Sequence, residues 1–209
     1  YIYNYLLVRT RKSKWTRECS APDDDEQPCI HQVALEFRDS FKEHICPVDI
    51  QNGKYHLCGE YMDFGARKAV IIIGGRSEGC YYGYYFAKAY QEAGYNILVI
   101  DNRCHGESDG KVYCVGIKEY KDVLAWAEML NERFGNTSIL IHGICIGSAT
   151  ALYALTSDNC PKYLTGMVAE GMYQSFNGIV KNHLVADKRP IWPFMDFIML
   201  LGLIIGHVN

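Results

Sequence analysis

Residues 138–155 read Ser138-Ile139-Leu140-Ile141-His142-Gly143-Ile144-Cys145-Ile146-Gly147-Ser148-Ala149-Thr150-Ala151-Leu152-Tyr153-Ala154-Leu155. The opening run is short, apolar and β-branched, and it breaks at Gly143. After Gly147 the small residues and leucines suit a helix packed closely on a sheet. Between strand and helix lies Gly143-x-Cys145-x-Gly147, which differs from a Gly-x-Ser-x-Gly turn only at its centre. Such a turn holds its central residue in a strained conformation, and its two glycines keep Cβ atoms out of the neighbouring strand and helix. The free N–H groups of the helix start then face any negative charge that develops beside the central residue. Here that residue is Cys145, whose thiol is a strong nucleophile once ionised. Its bland alternative is a small buried hydrophobe.

Working outward, Ala69-Val70-Ile71-Ile72-Ile73 is a buried strand that ends in Gly74-Gly75-Arg76. Asn96-Ile97-Leu98-Val99-Ile100 is a second, followed by Asp101-Asn102-Arg103-Cys104-His105-Gly106-Glu107-Ser108-Asp109-Gly110. The three motifs in this order resemble the α/β-hydrolase family over residues 45–209, most nearly its bacterial membrane-tethered, serine-aminopeptidase-like or Bem46-like members. The resemblance implies a mostly parallel sheet with helices on both faces. It assigns Cys145 as nucleophile and the backbone N–H groups of Arg76 and Ile146 as oxyanion hole. Gly143, Gly147, Gly74, Gly75, Asp101, Arg103, His105 and Gly106 become elbow and loop structure. Two departures stand out: Cys145 replaces the usual Ser, and Gly74 replaces the usual His of the oxyanion turn.

The chain order in this family is nucleophile, acid, His. The acid and the His normally follow later strands, so the sequence reads as truncated, with strand 164–170 left as an apolar edge. Glu170, at the end of that strand, is a candidate acid or a carboxylate that meets water. Asp101 and Arg103 are expected to pair with each other. His105 is expected to fix its loop, and His142 to pack beside the elbow. His207 is the remaining candidate base, with no later element to position it. A metal site from Cys104, His105 and Cys114 fits no standard zinc spacing, so no metal or other cofactor is expected.

Toward the N-terminus, residues 1–8 are apolar and aromatic, and Arg9, Arg11, Lys12, Lys14 and Arg17 follow. Residues 1–18 read as the end of a membrane anchor with a basic flank or as an amphipathic surface segment; eight residues fall short of the ~20 a span needs. Residues 19–44 read as a linker and lead-in, and 45–62 as a hairpin about Asn52-Gly53. Helices are expected at 81–93, 116–134 and 175–186. Residues 187–209 read as the start of a cap or lid, or as an ordinary buried helix.

The 209 residues suffice for one domain with a sizeable core. A net charge of −3, with no phosphate loop or dinucleotide fingerprint, gives no reason to expect nucleic acid. Nine cysteines at irregular spacing, without a C-x-x-C pair, argue against a disulfide framework and for a cytoplasmic face. The expected partner is a small-molecule acyl substrate, and the oligomeric state is left open. The expected activity is hydrolysis of an ester, thioester or small amide. A scaffold protein without catalysis and an acyltransferase are the alternatives.

Overall fold

The structure, a computed structural model, describes residues 7–18, 27–172 and 175–186, together with 188, 190–193 and 197. Its centre is a six-stranded mixed sheet of β1 (Ile45–Asn52), β2 (Tyr55–Met62), β3 (Lys68–Ile73), β4 (Asn96–Ile100), β5 (Ser138–Ile144) and β6 (Leu164–Glu170), in the order β1-β2-β4-β3-β5-β6. The β1–β2 hairpin turns at Gly53, whose φ of +59° is what the Asn-Gly signal anticipates. β2 joins β4 antiparallel, while β4, β3, β5 and β6 run parallel. This is the doubly covered, mostly parallel sheet with an N-terminal hairpin expected from the sequence.

Alternation along the strands explains the two cores. In β3, Ile71 and Ile73 face one side with Leu98, Ile100, Ile139 and Ile141, against α3 (Tyr120–Phe134) and α4 (Ile146–Leu155). Val70 and Ile72 face the other side with Ile97 and Val99, against α1 (Gln27–Ser40) and α2 (Tyr84–Glu92). Both faces are apolar, so the strands read as continuous hydrophobic runs. Each fully buried Ile, Leu or Val contributes about 1.5–3 kcal/mol. β6 differs: it is an edge among the described residues, and Val168 is 43% exposed.

Several expectations need correction. The helix α1 starts at Gln27, inside the stretch read as linker; Pro28 sits in its first turn, where a missing N–H costs nothing. Cys80–Gly83 form a separate 3-10 turn, so α2 begins only at Tyr84. Before α3, Glu119 turns back to accept the N–H groups of Cys114 (2.8 Å) and Gly116 (2.9 Å), which delays the helix to Tyr120. The helix expected at 175–186 is present as α5 (Phe176–Ala186), after β6.

Residues 7–18 lie on the loop after β4. Leu7 and Trp15 are buried, Val8 bridges to Val112, and Arg17 turns inward. None of the described helices is long and apolar enough to cross a membrane. Residues 1–6, and nearly all of the 187–209 stretch read as a cap, lie outside the described residues.

Candidate active site

Cys145 stands between β5 and α4 with φ +52° and ψ −112°. A non-glycine residue there is strained by about 1–3 kcal/mol, and surrounding contacts must hold it. They do so through the main chain: the Cys145 N–H donates to the Glu170 carbonyl at 2.7 Å, and the Ser148 N–H donates to the Cys145 carbonyl at 3.1 Å. The Ser148 hydroxyl reaches the Gly143 carbonyl at 2.6 Å and the Glu170 carbonyl at 3.0 Å, tying the turn to β6. The flanking glycines are there for close approach. A Cβ on Gly143 would stand 2.4 Å from the Gly147 carbonyl oxygen, and one on Gly147 would stand 2.3 Å from that of Ile73.

The thiol is half-buried, touching Ile146 on one side and the core under α2 on the other. The Ile146 N–H lies within hydrogen-bonding reach of the sulfur and favours its ionised form. Burial outweighs it, and the Glu78 carboxylate adds to burial while the Arg76 guanidinium opposes it, so the thiol sits above its ordinary pKa. Cys145 is thus a protonated thiol that needs a base.

The second turn, Gly74-Gly75-Arg76, follows β3. Asn102 holds it by donating from Nδ2 to the Gly74 carbonyl at 2.9 Å, and the His105 ring reaches the Arg76 carbonyl. The Gly75 N–H donates to Glu78 Oε2. Burial raises the Glu78 carboxyl above the usual carboxylate range, the Gly75 N–H opposes this, and the nearby charge of Glu170 adds to it. An amide of the turn next to Cys145 is therefore occupied by the protein's own carboxylate. Glu78 and Asn102 lie beside motifs already singled out, but neither residue type marks its role by itself.

The loop after β4 holds the turn from behind. Asp101 does not pair with Arg103. Asp101 takes Arg17 at 2.8 Å from the N-terminal segment and the Glu107 N–H at 3.1 Å. Arg103 instead forks onto Asp122 of α3 at 2.8 and 2.7 Å. The physical reason is separation of faces: one side chain turns toward the N-terminal segment and the other toward the helix layer. Arg17, expected to be part of a basic membrane flank, is also 3.4 Å from Glu60. His105 stacks on Trp15 with ring centres 4.7 Å apart, and its other nitrogen lies 3.0 Å from the Arg103 carbonyl. Burial lowers its pKa to about 4 against the pull of both carbonyls, and the neutral ring can donate to only one of them. The Gly106 N–H donates to the Trp15 carbonyl at 2.8 Å.

His142 lies under the elbow on β5. Its Nδ1 is 2.8 Å from the Tyr90 hydroxyl, and its Nε2 is 3.4 Å from Glu170 Oε2. Burial lowers its pKa, and Glu170 pulls the other way. Glu170 therefore serves the turn through its carbonyl while its half-exposed carboxylate faces His142. The ring nitrogens of His105 and His142 have these partners rather than the Cys145 sulfur. His207 lies outside the described residues. Among the described residues no cluster of His, Cys, Asp and Glu is arranged to hold a metal ion, and the eight described cysteines are free thiols.

Comparison with known proteins agrees with this fold. Residues 68–189 match the family model described as the alpha/beta hydrolase fold. The uncharacterized protein YqkD of Bacillus subtilis (strain 168) is 30% identical over 118 residues, which cover 53% of this chain and 37% of that protein. The Pyrococcus furiosus esterase Pf2001 superposes with a TM-score of 0.66 and 24% identity, covering 75% of this chain and 60% of that one. An alpha-beta hydrolase from Vibrio vulnificus gives 0.56 and 18%, covering 85% and 68%. The chain spans little more than a third of YqkD and three-fifths of the esterase. With a strained cysteine at the apex of the β5–α4 turn and the family model matching more than half of its length, the chain belongs to the α/β-hydrolase fold family.

Proposed function

We propose that this chain is a hydrolase that cleaves small carboxylic esters or thioesters through an acyl-enzyme on Cys145. The observation that carries the reading is the +52° φ of Cys145, with the Ile146 N–H at its sulfur and the Gly74-Gly75-Arg76 turn opposite. The thiol gives up its proton as Sγ attacks the carbonyl carbon. The Ile146 N–H and an N–H of the opposite turn stabilise the oxyanion, each worth about 3 kcal/mol in comparable sites. The tetrahedral adduct collapses to a thioester and expels the alcohol, and water then releases the acid. In this reading the base that moves the proton follows β6 in the chain, the family's usual order. The esterase named among the similar structures supports an ester as substrate.

A second reading, a binding protein on a hydrolase fold, has one observation in its favour. Glu78 takes the Gly75 N–H and its charge raises the thiol pKa, both of which oppose catalysis. Turnover of a chromogenic short-chain ester separates the two. The hydrolase reading expects release that Cys145→Ala abolishes and a retained acyl group on the wild-type thiol. The binding reading expects equal, background release from both proteins.

A further inference from the structure

A second cysteine has the arrangement of a base-assisted nucleophile, on the outer face of the β1–β2 hairpin. Cys58 Sγ is 3.6 Å from His56 Nδ1, and His56 Nε2 is 3.2 Å from Asp49 Oδ2. The pleat brings the three together: His56 and Cys58 are two apart on β2, and Asp49 is the cross-strand partner of Cys58. The tautomer follows from Asp49, because an ionised carboxylate only accepts. His56 Nε2 must carry the proton, which leaves the Nδ1 lone pair facing the thiol. The backbone of Cys58 is fixed as well: its N–H donates to Ser108 Oγ at 2.9 Å, and its carbonyl accepts the Asp101 N–H at 2.9 Å. Half-buried Cys58 is bordered by a His56 side chain 49% exposed and an Asp49 side chain 65% exposed, so a small molecule has access.

We propose that Cys58 is a modification site, at which His56, oriented by Asp49, draws the proton from the thiol as it attacks a small neutral or cationic disulfide. The Cys58 sulfur bonds to one sulfur of the reagent, the reagent's own S–S bond breaks, and the departing thiolate takes the proton from His56. One disulfide is consumed and one thiol released, so the electrons balance with the reagent as oxidant. Proton transfer during attack is required because burial and the charges of Asp101, Asp49 and Glu107 hold the thiol above its ordinary pKa, against Arg17. Carboxylates around the hairpin also select the reagent. The Asp49 and Asp109 carboxylates, held against His56 Nε2 and the His56 backbone N–H, and the nearby charge of Glu107 disfavour an anionic disulfide.

Cys46 and Cys160 are the internal controls. Both are half-buried, and their sulfurs lie 3.7 and 3.8 Å from the carbonyls of Pro47 and Pro161. The test is the rate of mixed-disulfide formation at each cysteine of the folded protein with cystamine and with glutathione disulfide, read by peptide mass spectrometry. At pH 7 we expect Cys58 to react with cystamine at least about tenfold faster than Cys46 or Cys160, a modest share of what general-base assistance supplies. Glutathione disulfide should react more slowly at Cys58 than cystamine does. His56→Gln should bring Cys58 down to the control rate at pH 7, with a smaller gap near pH 10, where hydroxide ionises the thiol without help. A Cys58 rate no higher than the controls overturns the proposal, and so does a fast rate that His56→Gln leaves unchanged. If His56→Gln fails to fold, the wild-type comparison of three cysteines and two reagents still decides.

Discussion

Two turns at the carboxyl ends of β5 and β4, the strands on either side of β3, flank the site, and they are built in opposite ways. The β5–α4 turn is a backbone device: a positive φ at Cys145, two glycines admitting main chain at under 2.5 Å from a notional Cβ, and hydrogen bonds to the Glu170 carbonyl. The loop after β4 is a side-chain device. Asp101 depends on Arg17, Arg103 on Asp122 and His105 on Trp15, all brought from other elements. A turn made of backbone is sensitive to volume. A turn made of buried charges is sensitive to the loss of a partner and to pH.

The largest expected effect is on the side-chain turn. Arg103→Ala leaves Asp122 with one oxygen on Asn52 and no counter-charge, in a setting where both partners are nearly buried. Breaking such a pair costs about 3–5 kcal/mol, read as a lower urea midpoint. A loss under about 1 kcal/mol would put the pair in the surface class and erase the contrast.

The pH response of the same loop comes next. His105 has its pKa lowered from 6.5 to about 4, so below 6.5 the unfolded chain takes up a proton that the folded chain refuses. Its contribution is full above pH 6.5 and falls as pH drops toward 4, by about 3 kcal/mol in all. Urea titrations at pH 7 and pH 4.5 should show a smaller difference for His105→Gln than for the wild type. An equal difference would mean that His105 is not buried neutral.

The backbone turn should respond to volume. Gly147→Ala places a Cβ 2.3 Å from the Ile73 carbonyl oxygen, and main chain must shift to admit it. The expected cost is about 1–3 kcal/mol, with loss of ester turnover even where the protein still folds. The smallest effect is Glu78→Gln, which removes a negative charge beside Cys145. The thiol pKa should fall, so its alkylation by iodoacetamide should rise at lower pH than in the wild type. An unshifted profile would detach Glu78 from the site.

The same contrast explains what could be read before the structure. The elbow was legible because its logic is local: strand, glycine, cysteine, glycine, helix, in that order. The sheet was legible because its strands are uninterrupted apolar runs and the hairpin turns at Asn52-Gly53. The charge partners were not, because sequence proximity suggested Asp101 with Arg103, whereas the real partners lie 84 and 19 residues away. Glu78 was missed for a related reason. Three residues from Gly75, it resembles any loop carboxylate until the fold turns it back onto that N–H.

The most direct test of the account is mass spectrometry of the protein quenched in acid during reaction with a p-nitrophenyl ester. The account predicts an acyl group on Cys145, absent from Cys145→Ala and formed as an ester on Cys145→Ser. An acyl group on another residue, or none while the ester turns over equally in Cys145→Ala, would contradict it.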